Sequence, residues 1–113
     1  MAVKTFQASL LAVQMEAGCP VVVVGKELDR RGLLTMHDLL TRLLAARHSE
    51  IVIDFSHTAH VHYLTGDVVK SKADRCRRIG GFLQVRGANP WISSLLAFGG
   101  TVIQEQPLVA ARS

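Results

Sequence analysis

The stretch IVIDFSHTAHVHYLTGDVV, residues 51–69, holds the side chains best suited to chemistry: His57, His60 and His62 within six residues, followed by Tyr63 and Thr65. Imidazoles bind metals and carry protons, while a hydroxyl or amide at a helix N-terminus is placed to hold an anion or a phosphate. His60 and His62 are separated by one residue, so in extended chain both rings lie on the same side. A metal centre needs a third and a fourth ligand with deprotonated donors, and Asp54 or Asp29 are the carboxylates that could supply one. The ligand spacing is not that of any recognisable metal site, so no metal and no cofactor are expected. The three residues read instead as surface-turn histidines at a sheet edge, where an unperturbed imidazole titrates near pH ~6.5.

Other chemistries lack their parts. There is no phosphate-cradling glycine loop, no Gly-x-Ser-x-Gly elbow and no cysteine in a nucleophile motif, which points away from an enzyme. Cys19 and Cys76 stand far apart with no CxxC pairing, so they read as reduced packing residues rather than a disulfide or zinc framework. Lys70, Asp74, Arg77 and Arg78 share one helical side, with Asp74 relieving the repulsion, and read as a solvated face rather than a nucleic-acid patch.

The elements that position the turn follow from periodicity. Residues 4–14 read as a first strand, residues 16–20 as a turn punctuated by Gly18 and Pro20, and Val21 to Val24 as a strand buried on both faces. Lys26 to Arg31 read as a polar connector. After Gly32, the positions Leu33, Met36, Leu40 and Leu43 predict an amphipathic helix to about Ala46. Ile51 to Ser56 form the third strand, and the turn behind it leads into a helix from Leu64 to Ile79, with Val68, Val69, Ala73, Cys76 and Ile79 toward the core and Gly80-Gly81 as its stop. Phe82 to Arg86 form a fourth strand. Asn89 caps a third helix with Pro90 in its first position, and Trp91, Ile92, Leu95, Leu96 and Phe98 form an apolar stripe read as core. Thr101 to Gln104 read as a last short strand.

Strands alternating with helices after a hairpin predict an α/β fold, a mixed central sheet of about four to five strands with about three to four helices packed against it. The 113 residues suit one domain, 1–113, with a core built mainly of Leu, Val, Ile and Ala, since aromatic residues are few. No apolar run approaches the roughly 20 residues that span a bilayer, and the N-terminus lacks the pattern of a signal peptide, so a cytoplasmic protein without membrane insertion is expected.

Three stretches, VVVVGKELD (21–29), IVIDFS (51–56) and RRIGGFLQVRGANPWISSLLAFGG (77–100), together resemble the STAS domain, the fold of bacterial anti-sigma factor antagonists and of the cytoplasmic tails of sulfate-permease transporters. The likeness runs from about Phe6 to Gly100 without a gap. The family's Gly-Glu-Leu-Asp turn corresponds to Lys26, Glu27, Leu28 and Asp29, with lysine in place of the glycine. Its Asp-Ser pair, where a partner kinase phosphorylates the hydroxyl, corresponds to His62 and Tyr63. The resemblance implies a non-enzymatic regulatory protein in bacterial partner switching and transcription regulation, docking to an ATP-binding serine kinase or an anti-sigma factor. The departures imply that ordinary serine phosphorylation is lost, leaving Thr65 and Tyr63 as the candidate phosphoacceptors.

The partner surface expected on this basis comprises Asp29, His62, Tyr63, Leu64, Thr65, Gly66 and Asp67. Two other readings stand beside it: a soluble STAS subunit or module of a membrane transport complex, and a small-ligand or metal sensor built on the histidine-rich turn. A homodimer through the edge of the first strand is a further expectation.

Overall fold

The computed structural model describes residues 11–98. The chain starts with a hairpin, β1 (Leu11–Glu16) and β2 (Cys19–Val24), joined by Ala17 and Gly18. Both turn residues have positive φ, 53° and 81°, the two-residue geometry whose twist matches that of paired strands. β4 (Glu50–Asp54) and β6 (Phe82–Arg86) add in parallel, giving the order β1-β2-β4-β6 with only the hairpin antiparallel. Three helices connect or follow the strands: α1 (Arg30–Ala45), α2 (Thr65–Arg78) and α3 (Pro90–Phe98). The expected mixed sheet with crossing helices is therefore present: the sheet has four strands, and three helices lie among the described residues.

The helices pack on one face of the sheet. Val22, Val24, Ile51, Ile53, Leu83 and Val85 meet Leu33, Met36, Leu40 and Leu44 of α1, Val69, Ala73 and Cys76 of α2, and Ile92 and Leu96 of α3. Val21 and Val52 are buried on the opposite face of neighbouring strands, which explains why both strands read as unbroken apolar runs. Cys76 lies in this core, where burial pushes its thiol pKa up and leaves it a packing residue. Helix α2 ends as expected: Gly80 at φ 89° follows the cap residue Ile79, its N–H donates to Arg77 O (3.0 Å), and the Gly81 N–H donates to Cys76 O (2.8 Å).

Several expectations need correction. The segment Lys26 to Arg31 is not a polar connector: Glu27–Leu28 form a short strand, β3, and α1 already begins at Arg30. Asp29 is the reason for the early start, because its Oδ1 accepts from the Gly32 N–H at 2.8 Å and satisfies a donor that would otherwise be orphaned. Ile79 is 53% exposed because it stands at the helix cap, past the last turn that faces the core. Trp91 is 49% exposed, since Ile92 and Leu96, four residues apart, take the inward face of α3. Lys72, off the side of α2 shared by Lys70, Asp74, Arg77 and Arg78, is buried, with its Nζ donating to Thr41 Oγ1 of α1 at 2.9 Å; burial lowers its pKa. On the side expected to be solvated, Lys70, Arg77 and Arg78 are exposed, and Asp74 pairs with Lys70 and Arg77. The expected strand Thr101 to Gln104, and residues 4–10 of the expected first strand, lie outside the described residues. No helix among the described residues is long and apolar enough to cross a membrane.

Candidate functional site

A ladder of two residues organises the histidine-rich turn. β5 (His60–Val61) runs parallel to β3, with Glu27 opposite His60 and Leu28 opposite Val61. The His62 N–H extends the ladder by donating to Leu28 O at 2.7 Å, which brings His62 alongside Asp29. Glu27, Leu28, Asp29, His60, Val61 and His62 thus line a groove of about 210 Å³. Leu28 and Val61 form its buried floor, while Glu27 and Asp29 stand exposed.

Two aromatic pairs flank this groove. The His60 ring meets Trp91 of α3 edge to face, with centroids 5.6 Å apart and planes at 69°. On the other side the His62 ring stacks on Tyr63 at 4.6 Å and 24°. Tyr63 is 72% exposed, more than any other large apolar or aromatic side chain among the described residues, and Leu64 next to it is also exposed. His62 Nδ1 accepts from the Leu64 N–H at 3.1 Å, immediately before α2. Asp67 lies exposed in the first turn of α2, where a carboxylate complements the positive end of the helix dipole.

The loop between β4 and β5 is held from two directions. Thr58 is buried, and its hydroxyl reaches Gly25 O (2.8 Å) and Val24 O (3.2 Å) at the end of β2. Asn89 caps α3 by accepting from the Ile92 N–H at 2.8 Å, and its amide also donates to Ala59 O at 3.2 Å. One side chain therefore fixes both the start of α3, hence Trp91, and the approach to His60.

The expected site residues fall into two groups. Asp29 and His62 line the groove, exposed Tyr63 and Leu64 follow His62 directly in the chain, and Asp67 lies exposed in the first turn of α2, lining a separate pocket with Lys70 and Asp74. Thr65 and Gly66 are buried. The Thr65 hydroxyl, a candidate phosphoacceptor, has no exposed surface and no hydrogen-bond partner in this conformation. The candidate Tyr63 hydroxyl is on an open side chain. Helical spacing places Trp91 in the core stripe, but the structure leaves it half exposed because Ile92 and Leu96 already fill the inward face. His57 is exposed, and no three His, Cys, Asp or Glu side chains among the described residues are grouped to hold a metal ion.

A second polar cluster lies at the sheet, outside the sequence-based site. Arg86 Nε donates to Asp54 Oδ2 at 3.1 Å, while its terminal nitrogens grip both carboxylate oxygens of Glu16 at 3.0 and 3.1 Å. Ser56 closes it, its hydroxyl and N–H donating to Asp54 Oδ1 at 2.5 and 2.8 Å. Burial pushes the Asp54 carboxyl up, but the Ser56 and Arg86 hydrogen bonds outweigh that effect and hold it below its usual range. Arg86 likewise holds Glu16 down, and its own pKa is raised by the two carboxylates.

No protein-family model matches this sequence, and no curated protein matches it. Solved structures do. The anti-sigma factor antagonist SpoIIAA in its unphosphorylated form superposes with a TM-score of 0.75 at 13% identity, over 88% of this chain and 90% of its own. The phosphorylated form from Bacillus gives 0.73. An anti-sigma factor antagonist from Mycobacterium paratuberculosis is 17% identical, with a TM-score of 0.73 over 88% of this chain and 86% of its own. The murine anion transporter Slc26a9 contains a similar unit, with a TM-score of 0.59 at 13% identity over 77% of this chain and 14% of the transporter. With its hairpin, parallel additions and helices on one face, the chain has the STAS fold, the fold of these anti-sigma factor antagonists.

Proposed function

We propose that this chain is a non-enzymatic docking domain of the partner-switching kind, working in the bacterial cytoplasm as an antagonist of an anti-sigma factor. Its partner is an ATP-binding serine kinase or an anti-sigma factor, met through Asp29, His62, Tyr63, Leu64 and Asp67, with Trp91 added to the surface. The observation that carries the reading is the groove between the His60–Trp91 and His62–Tyr63 pairs. Aromatic side chains held open to solvent beside a small groove are what protein interfaces use as anchors. A fold shared with SpoIIAA supports the class of partner.

In this reading the domain lacks the ordinary serine switch. Tyr63 stands where the resemblance expects the phosphoacceptor, and the Thr65 hydroxyl is enclosed. Incubation with the host's own kinase and ATP, followed by phosphosite mapping, tests the claim. The expected outcome is stable binding with no stoichiometric phosphate on Tyr63 or Thr65; stoichiometric modification of either overturns it.

The fold shared with part of Slc26a9 favours a second reading, a soluble subunit of a transport complex. Affinity purification from the native host separates the two. A permease or transport ATPase bound at the aromatic surface supports the second, a kinase or anti-sigma factor the first.

A further inference from the structure

We infer that His62 is a proton-operated latch on the docking surface: the neutral ring holds the entry to α2 and braces Tyr63, and protonation releases both. The inference deepens the docking reading and rests on it for its functional meaning.

The chemistry follows from one hydrogen bond. His62 Nδ1 accepts from the Leu64 N–H at 3.1 Å, so the ring must be neutral with its proton on Nε2. Leu64 is the cap residue of α2, and its side chain makes no capping hydrogen bond. The imidazole therefore does work at this helix start that a Ser, Asp or Asn side chain commonly does. The same ring stacks on Tyr63.

A proton taken from water onto Nδ1 turns the acceptor into a donor facing another donor, the Leu64 N–H. The ring must then turn away, which frees the Leu64 N–H and breaks the stack on Tyr63. The groups around it favour that movement. Glu27 on β3 and Asp29 at the start of α1 line the groove with His62, and Asp67 lies in the first turn of α2. These carboxylates attract an imidazolium. His60 on β5 also lines the groove and repels it only when itself protonated. Helix α3 contributes no titratable side chain, since Pro90 to Phe98 reads PWISSLLAF. A ring turned toward Asp29 and Glu27 occupies part of the groove and leaves Tyr63 unsupported, so one proton changes both features that a partner meets.

The test is a pH titration by NMR of the intact protein and of the variant His62→Asn. Asn accepts from the N–H two residues on, as in an Asx turn, but does not titrate. In the wild type the expected results are an Nε2–H tautomer at high pH, a Leu64 amide resonance that moves in step with the His62 ring as pH falls, Tyr63 ring resonances that move with it, and a roughly fivefold loss of Leu64 amide protection once the ring is protonated. The Asn variant should keep the Leu64 amide unchanged across the range. An Nδ1–H tautomer at high pH, or a Leu64 amide that ignores the ring's titration, overturns the inference. Should the variant not fold, the wild-type ring and amide titrations decide alone. Because these signals are read without a partner, a failed latch is distinguishable from a failed docking surface.

Discussion

The cluster Glu16–Arg86–Asp54–Ser56 and the groove beside Asp29 and His62 both join residues distant in sequence, yet their polar groups are used differently. In the cluster, Asp54 receives hydrogen bonds at both oxygens, and Arg86 spends its fork on Glu16. At the groove, Glu27 makes no ion pair among the described residues, and Tyr63, Leu64 and Trp91 present apolar surface to water. Polar groups that are fully satisfied internally have little left for a partner, whereas exposed aromatics beside a carboxylate without an ion pair do. The cluster is accordingly a structural clamp across the sheet, and the groove is the surface for recognition.

Substitutions should separate the two regions by kind of damage. The largest effect is expected at Gly87, which follows Arg86 at φ 75° and lies against Ser56: a Cβ there would sit 2.8 Å from the Ser56 backbone N and Cα. Gly87→Ala should cost about 3 kcal/mol of unfolding free energy in denaturant titrations, through strain and displacement of the Asp54 partner. Arg86→Met comes next, at about 2 kcal/mol. It leaves the nearly buried Asp54 carboxylate without its cation, and the partial exposure of Arg86 keeps the loss below that of a fully buried pair.

The same clamp sets an acid limit. Glu16 and Asp54 titrate below their ordinary values of 4.5 and 3.8, so the unfolded chain binds protons first as pH falls. Their stabilisation is complete above about pH 5 and is lost as pH falls through about 4 and below, and Arg86→Met should flatten that dependence in thermal melts recorded against pH.

At the groove the pattern should reverse. Trp91→Ala and Tyr63→Ala should each weaken partner binding at least tenfold by calorimetry, while unfolding free energies change by no more than about 1 kcal/mol. The smallest effect is expected at Thr65. Its hydroxyl is buried without a partner, so Thr65→Val should be neutral or stabilising by up to about 1 kcal/mol, with binding unchanged. A loss of binding in that variant would move Thr65 onto the recognition surface.

The physical signals explain what the sequence revealed. Val21 to Val24 and Ile51 to Ile53 announced central strands because both faces are covered, and Asn89-Pro90 announced α3 because cap chemistry is local. The β3–β5 ladder was illegible, since two residues are too few for any periodicity and Lys26 to Arg31 are almost all charged. Helical spacing found the stripe containing Trp91 but could not say which edge of it faced outward; only the packing of Ile92 and Leu96 decides that. Arg86 and Glu16 are 70 residues apart, and nothing local marks their pairing. For the site, Asp29 and His62 were legible as neighbours through the family resemblance alone. The cap that Asp29 supplies and the ring contacts of His60 and His62 required the fold.

The most direct test is calorimetric titration of the host's partner kinase or anti-sigma factor with the wild-type chain, with Arg86→Met at a temperature where it is folded, and with the double variant Tyr63→Ala, Trp91→Ala. Tight binding by the first two and at least a hundredfold weaker binding by the third are expected. Equal binding by all three would contradict the assignment of recognition to the aromatic groove.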